Sequence, residues 1–260
     1  MAEQQEIDLS KINLTESVYD FDVWYAEAWS RKQGQFSFNL ANTLIRFLKE
    51  KNKSIKSVLD VCSGSGEFVS VLRNICTDCM GVDNAEGYLR FVQSKINDVV
   101  FKKVDKLYDF NLKRKFDFIS CNRDVVNMFT TFEKWETFFK TAYEHLNKGG
   151  MLMFDYYTKH KLDGWQATIF EQSPEIDYVS DVTQNNGLCV MSEVYYLKET
   201  STLYRKTGDV MVEAWFENED IVKALKLAGF RDVKLVDGDL VEIPQEKIAE
   251  RNRIHILAYK

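Results

Sequence analysis

The stretch Val58-Leu59-Asp60-Val61-Cys62-Ser63-Gly64-Ser65-Gly66-Glu67-Phe68 decides the fold. An apolar run ends around an aspartate, small residues follow, and a helical pattern starts at Glu67. Strand, glycine turn and helix in that order make a site for a nucleotide or nucleoside. Gly64 and Gly66 let the backbone turn tightly and let a ligand approach it closely. The next apolar run, "CMGVD", ends in a second acid, Asp83. An acid at the end of the second strand of a doubly wound sheet accepts hydrogen bonds from ribose hydroxyls. The dinucleotide fingerprint is not met, because Val69 stands where the third glycine would be. Asp60 ahead of the loop also disfavours a pyrophosphate and favours a cationic ligand, such as a sulfonium or an amine.

Working outward, helix and strand patterns alternate as far as Tyr157. Leu40, Leu44, Ile45 and Leu48 recur at helical spacing. "YDFDVWYAEAW" (19–29) predicts a separate short helix, and residues 1–17 a loose arm. "KSVLDV", "CMGVD", "VVFKKV", "FDFISC" and "MLMFDYY" predict five strands; "EFVSVLRNI", "AEGYLRFVQSKI" and "TFEKWETFFKTAYEHL" predict helices. That alternation argues for a parallel sheet. Residues 158–185 show no clear period, and two or three antiparallel strands follow. "NEDIVKALKLAGF" then returns to helix, with Asn218 as N-cap and Gly229 past its end, before two last strands. The expected architecture is α/β, a Rossmann-like seven-stranded mostly parallel sheet with helices on both faces and an inserted antiparallel β lid. The expected boundaries are 1–157 for the arm and first part of the core, 158–216 for the lid, and 217–260 for the completion of the core.

Composition narrows the function. The formal net charge is −6, which disfavours a nucleic-acid partner. No apolar run is long enough to span a membrane, and the polar, acidic start lacks a secretory pattern, so a cytoplasmic protein is expected. Five cysteines read as reduced thiols, with Cys76 and Cys79 packed separately. No metal site is expected. The lysines and arginines from Lys102 to Lys115 read as a solvated face, His145 as solvated and His255 as structural.

"VLDVCSGSG" resembles motif I of class I S-adenosylmethionine-dependent methyltransferases, usually VLDxGCGTG. "GVD", "FDFISCNRDVVNMF" and "LNKGGMLMFD" resemble that family's ribose strand, strand-four and strand-five segments, with Lys148 where proline is usual. The resemblance covers residues 19–157 and 213–260 and implies S-adenosylmethionine as cofactor. It places Asp60 at the loop and the methionine amine, Gly64 and Gly66 along the methionine and ribose, and Asp83 with Asn84 at the ribose and adenine. It places Asp105 and Lys106 at the adenine edge, Cys121 by the methionine amino group, and Tyr25 over the cofactor. Cys62 fills the family's first glycine position, which a small residue with negative φ would tolerate. Asp124, Asn127, Tyr156 and His160 follow strands four and five and are the candidates for acceptor contact or catalysis; Tyr157 stands with them. Tyr195, Tyr196, Tyr204, Arg205 and Trp215 of the lid are expected to cover the acceptor. A weak likeness to glycine and amino-sugar N-methyltransferases favours a small polar acceptor; an RNA or protein acceptor, or a non-catalytic binding module, remain the rivals.

Overall fold

The computed structural model describes residues 23–185 and 187–260. The expected arm of residues 1–17 lies outside them. The first helix, α1 (Val23–Glu50), is continuous, so the two expected helices are one. Gly34 does not break it; it lies against Glu67, where a Cβ would sit 3.1 Å from the carboxylate Oε1. Leu40, Leu44 and Leu48 supply the buried stripe that the spacing predicts.

Strands β1 (Ser57–Val61), β2 (Asp78–Asp83), β3 (Val100–Lys103), β4 (Phe116–Cys121) and β5 (Leu146–Tyr157) run parallel. Helices α2 (Glu67–Leu72), α3 (Glu86–Lys95) and α4 (Phe132–Glu144) make the crossovers. After the insertion, α6 (Asn218–Ala228) leads to β10 (Asp232–Val236) and β11 (Arg253–Tyr259). The sheet order is β10-β11-β5-β4-β1-β2-β3, with β11 antiparallel to both neighbours. β1 and β4 are central and buried almost throughout, as expected of strands covered on both faces. The carboxyl ends of β1 and β4, on either side of the point where the order reverses, form the crevice where such sheets bind ligands.

Between β5 and α6 lie a short helix, α5 (Lys159–Leu162), and a four-stranded antiparallel sheet of β6 (Ala167–Gln172), β7 (Ile176–Asn185), β8 (Leu188–Lys198) and β9 (Tyr204–Glu213). The antiparallel insertion is there, with four strands where the pattern shows two or three. β7 alternates in burial, but Val179 faces outward and blurs the period. Asn218 is not the N-cap of α6; Glu217 is, and the Asn218 side chain instead accepts a hydrogen bond from the Tyr156 hydroxyl at 2.8 Å. Gly229 does end that helix at φ 115°, and a Cβ there would lie 2.6 Å from the Tyr143 ring.

Three sequence readings need correction. Cys76 and Cys79 are paired as a disulfide, because the turn from α2 into β2 brings their Cα atoms to 6.8 Å. His145 is buried: its Nδ1 meets the Thr141 carbonyl at 2.7 Å and its Nε2 accepts from the Leu112 amide at 3.0 Å. Cys62 takes a positive φ of 55°, not a negative one. Among the described residues, no helix is long and apolar enough to cross a membrane.

Candidate active site

The carboxyl ends of β1, β2 and β4, the face of α1 and the inner face of the second sheet enclose a cleft of about 470 Å³. That is within the range of small-molecule sites. At one end lies the glycine loop. Gly64 (φ 51°) and Gly66 (φ 83°) both need left-handed backbone. The Gly64 amide donates to Asp83 Oδ2 at 2.9 Å, and the Ala85 amide donates to Asp83 Oδ1 at 2.9 Å. Asp83 therefore shapes the loop while its carboxylate stays in the cleft wall.

Three buried acids converge here. Asp60 accepts from Ser120 Oγ at 2.7 Å. Glu67 accepts from Ser65 Oγ at 2.7 Å and from Ser30 on α1. Burial, and then the charges of Asp83 and Glu67, push the Asp60 carboxyl up from 3.8 to about 7, against the pull of Ser120. Over the whole cleft, six acids (Asp60, Glu67, Asp83, Asp124, Glu171, Glu193) face three cations (Arg123, Lys161, Arg253). Buried polar atoms without a partner also line it: Ser63 Oγ and both ends of the Asn122 amide. Unpaired buried polar groups are rare and costly unless a ligand serves them. An acidic, partly unsatisfied cavity beside a glycine loop fits a nucleoside carrying positive charge.

Helix α1 and the second sheet are joined over this end by one carboxylate. Glu193 on β8 accepts from Tyr25 at 3.0 Å, from Tyr195 at 3.3 Å and from Tyr178. Tyr25 crosses Tyr88 and Tyr195 edge-on at 6.3 and 5.4 Å. Arg123 forms another wall, its guanidinium 5.0 Å from the Trp29 ring and 4.7 Å from the Phe36 ring. Arg123 (φ 71°) and Asp124 (φ 55°) are consecutive left-handed residues. Asp155 on β5 holds them: it accepts from the Arg123 amide and, at 3.4 Å, from the Asp124 amide, and it pairs with Arg253. Arg253 also pairs with Asp124.

Of the residues picked from the sequence, the cleft gathers Tyr25, Asp60, Cys62, Gly64, Asp83, Asn84, Asp124 and Tyr157. It does not gather the others. Gly66 faces α3, where a Cβ would lie 2.5 Å from Val92. Asp105 and Lys106 are exposed, and the neighbouring Leu107 lines the cleft instead. Cys121 is buried in the core beyond the wall. Asn127 is wholly used as a brace: its amide donates to the Tyr157 and Ala214 carbonyls at 2.9 and 2.8 Å and accepts from the Tyr157 amide. Tyr156 points to the helical side, against Trp135 and Asn218. His160 lines a separate cavity with Glu217 and Gln245. On the second sheet, Ile169, Glu171, Tyr178, Ser180, Met191, Glu193 and Met211 line the cleft, not the five aromatic and basic residues expected. β6 and β7, the strands without a clear pattern, supply four of those seven.

Fold and site together define an S-adenosylmethionine-dependent methyltransferase, and S-adenosylmethionine is its cofactor. A family described as "Methyltransferase domain" matches residues 33–235, and the chain belongs to it. Among curated relatives, the dTDP-3-amino-3,4,6-trideoxy-alpha-D-glucopyranose N,N-dimethyltransferase of Streptomyces venezuelae is 21% identical over 202 residues, spanning 76% of this chain and 84% of that one. A crystal structure of an S-adenosylmethionine-dependent methyltransferase from Clostridium acetobutylicum superposes with TM-score 0.75 at 20% identity, covering 85% of this chain and 90% of its own. The structure of CalS10, an amino pentose methyltransferase from Micromonospora echinaspora, does so with TM-score 0.71 at 20% identity, covering 94% and 98%.

Two expectations arise directly from this geometry. Cys62→Gly removes a left-handed side chain that costs about 1–2 kcal/mol, but also the thiol beside Asp83. Cofactor affinity by calorimetry is expected within several-fold of the parent; a hundredfold loss of turnover with binding intact would show that the thiol takes part in chemistry. Asp60, raised to about 7, makes the ligand-free fold less stable as pH rises from its ordinary 3.8 through about 7, because the carboxylate must ionise in place. The same ionisation favours a cation. Affinity for S-adenosylmethionine and S-adenosylhomocysteine, which share a cationic amino group, is therefore expected to rise across that window, measured by parallel titrations; a further gain for S-adenosylmethionine alone would place Asp60 by the sulfonium. Affinities for both that stay flat with pH would show that Asp60 faces neither the amine nor the sulfonium.

Proposed function

We propose that the protein transfers a methyl group to a small polar acceptor held at the Asp124 end of the cleft. The cleft's size and cover carry this reading: about 470 Å³, lined by β6–β9 on one side and the glycine loop on the other. A metabolite fits between those walls, whereas a polymer would have to thread between them. The amino-sugar activity named for the Streptomyces relative supports the same class.

The cofactor supplies a methyl group on positively charged sulfur. The residues of this chain do the rest. Asp83 and Asn84 stand ready for the ribose and base, Asp60 and the Asn122 amide for the charged amino-acid part, and Tyr25 closes the end from above. Asp124, Tyr157, Lys161 and Arg253 wall the acceptor end. Orientation, with a preorganised and water-poor surrounding, supplies most of the rate gain in a direct displacement. Met191 and Met211 lie between the two ends and offer apolar sulfur and methyl surface where water must be kept out.

The reading is tested with radiolabelled S-adenosylmethionine and fractionated cell extract. Label is expected in the low-molecular-weight pool, and to be lost with Asp124→Ala. Label confined to RNA or protein would overturn the reading; no transfer to any pool, with the cofactor bound, would make the chain a binding module.

A further inference from the structure

The inner face of the second sheet carries an acid at each end. Side chains alternate along strands, so Cys189, Met191 and Glu193 share one face of β8, and Met211 and Glu213 share the matching face of β9. The register sets Met191 opposite Met211 and Cys189 opposite Glu213. Glu193 belongs to the cofactor end: Tyr178 and Tyr195, two of the phenols that bond it, pack with Tyr25, Ala85 and Tyr88. Glu213 lies at the other end, within electrostatic reach of Asp124, Arg253, Lys161 and Tyr157, all of which line the cleft.

The two acids are served differently. Glu193 receives three phenols. Glu213 is 1% exposed, and no donor of the protein serves its carboxyl oxygens; its polar neighbour is the Asp124 carboxylate, itself an acceptor when ionised. The other buried acids around the cleft are all satisfied: Asp60 by Ser120, Glu67 by Ser30 and Ser65, Asp83 by two backbone amides, Asp155 by Arg253 and the Arg123 amide. Arg253, whose charge opposes the rise at Glu213, is already divided between Asp124 and Asp155. Glu213 is thus a buried acid that the protein's own donors leave unserved, on a face whose neighbouring residue, Met211, opens into the cleft.

We propose that Glu213, with Asp124 beside it, receives the amino group of the methyl acceptor and holds its proton, so that the acceptor is an amine. This rests on the reading of a small acceptor at the Asp124 end. The proton changes partner and nothing else is consumed: ammonium plus carboxylate becomes amine plus carboxylic acid, and the nitrogen lone pair is freed for attack. Burial raises the Glu213 carboxyl well above its ordinary range, and the Asp124 and Glu193 charges raise it further, against the pull of Arg253. That strengthens it as an acceptor for the ammonium proton. Lys161 and the Cys189 thiol complete the groups facing it, and the Lys161 charge favours the carboxylate. Two carboxyls sharing one cation's worth of unused charge make a poor site for a neutral hydroxyl and a repulsive one for an acid.

The test takes the labelled low-molecular-weight product over a cation exchanger at acid pH and locates the methyl by tandem mass spectrometry. The methyl is expected on nitrogen, and a product without phosphate groups is retained on the exchanger. Glu213→Gln should lower kcat/KM at least about a hundredfold near neutral pH. The deficit should shrink as pH rises and the free amine forms unaided, while S-adenosylhomocysteine affinity by calorimetry stays within about threefold of the parent. A methyl on oxygen, sulfur or carbon overturns the proposal and leaves the small-acceptor reading standing; so does a deficit equal at every pH. Label only in polymers defeats the earlier reading instead. The atom that carries the methyl decides the acceptor class even if Glu213→Gln does not fold, and Glu213→Asp, which keeps the carboxyl, should then recover part of the activity.

Discussion

Asp155→Ala is expected to cost about 3–5 kcal/mol of folding stability, since it strips a buried ion pair of one partner. Asp155 is fully buried, and its two oxygens hold three things at once: Arg253, and the backbone amides of Arg123 and Asp124. Those two residues sit in left-handed backbone that an L side chain adopts only under constraint. Removing the carboxylate leaves the Arg253 guanidinium half-paired and frees the turn after β4. Burial alone would raise the Asp155 carboxyl, but Arg253, His255 and Arg123 outweigh it and hold it below its ordinary value. Its contribution is therefore present above the ordinary carboxylate range and is lost as pH falls through the depressed value. Urea melts at neutral and acid pH measure both effects. Asp155→Asn, which keeps one acceptor oxygen for the amides, should cost less. A loss under about 1 kcal/mol for Asp155→Ala would mean that the turn stands without it.

Asp83→Ala is the second large effect, and it falls on binding. The carboxylate fixes the glycine loop through the Gly64 amide and the start of α3 through the Ala85 amide. Without it, two buried donors go unpaired and the ribose loses a charged acceptor. Each loss of that kind costs about 1.5–3 kcal/mol, so S-adenosylmethionine and S-adenosylhomocysteine should both bind at least tenfold more weakly. Circular dichroism would confirm that the sheet survives, because Asp83 is only the last residue of β2.

The core sheet and one end of the cleft were legible because their signals are local. "VLDVCSGSG" places strand, turn and acid within a few residues, and the apolar runs of β1, β2, β4 and β5 announce buried strands. Beyond Asp60, Asp83, Asp124 and Tyr157, the buried acids and cations of the cleft were not legible. Glu67, Glu193 and Glu213 look like ordinary surface acids until tertiary contacts bury them. Glu193 meets Tyr25 from 168 residues away, and Arg253 meets Asp124 from 129. The signal that could have exposed Glu213 is its neighbourhood on β9, "DVMVEAW", where an acid interrupts an otherwise inward row. Asn127 and Tyr156 misled for the opposite reason. Their positions after strands four and five are right for a site, but the side chains are spent on bracing Ala214 and Asn218.

In the proposed arrangement one cleft has a cofactor end at Asp83 and an acceptor end at Glu213, and a single set of calorimetric titrations with S-adenosylhomocysteine tests that division. The parent protein is expected to bind with micromolar Kd, about −8 kcal/mol. Asp83→Asn should weaken that at least about tenfold, and Glu213→Gln should leave it within about threefold. No binding by the parent, or an equal loss in both variants, would contradict the assignment of the two ends.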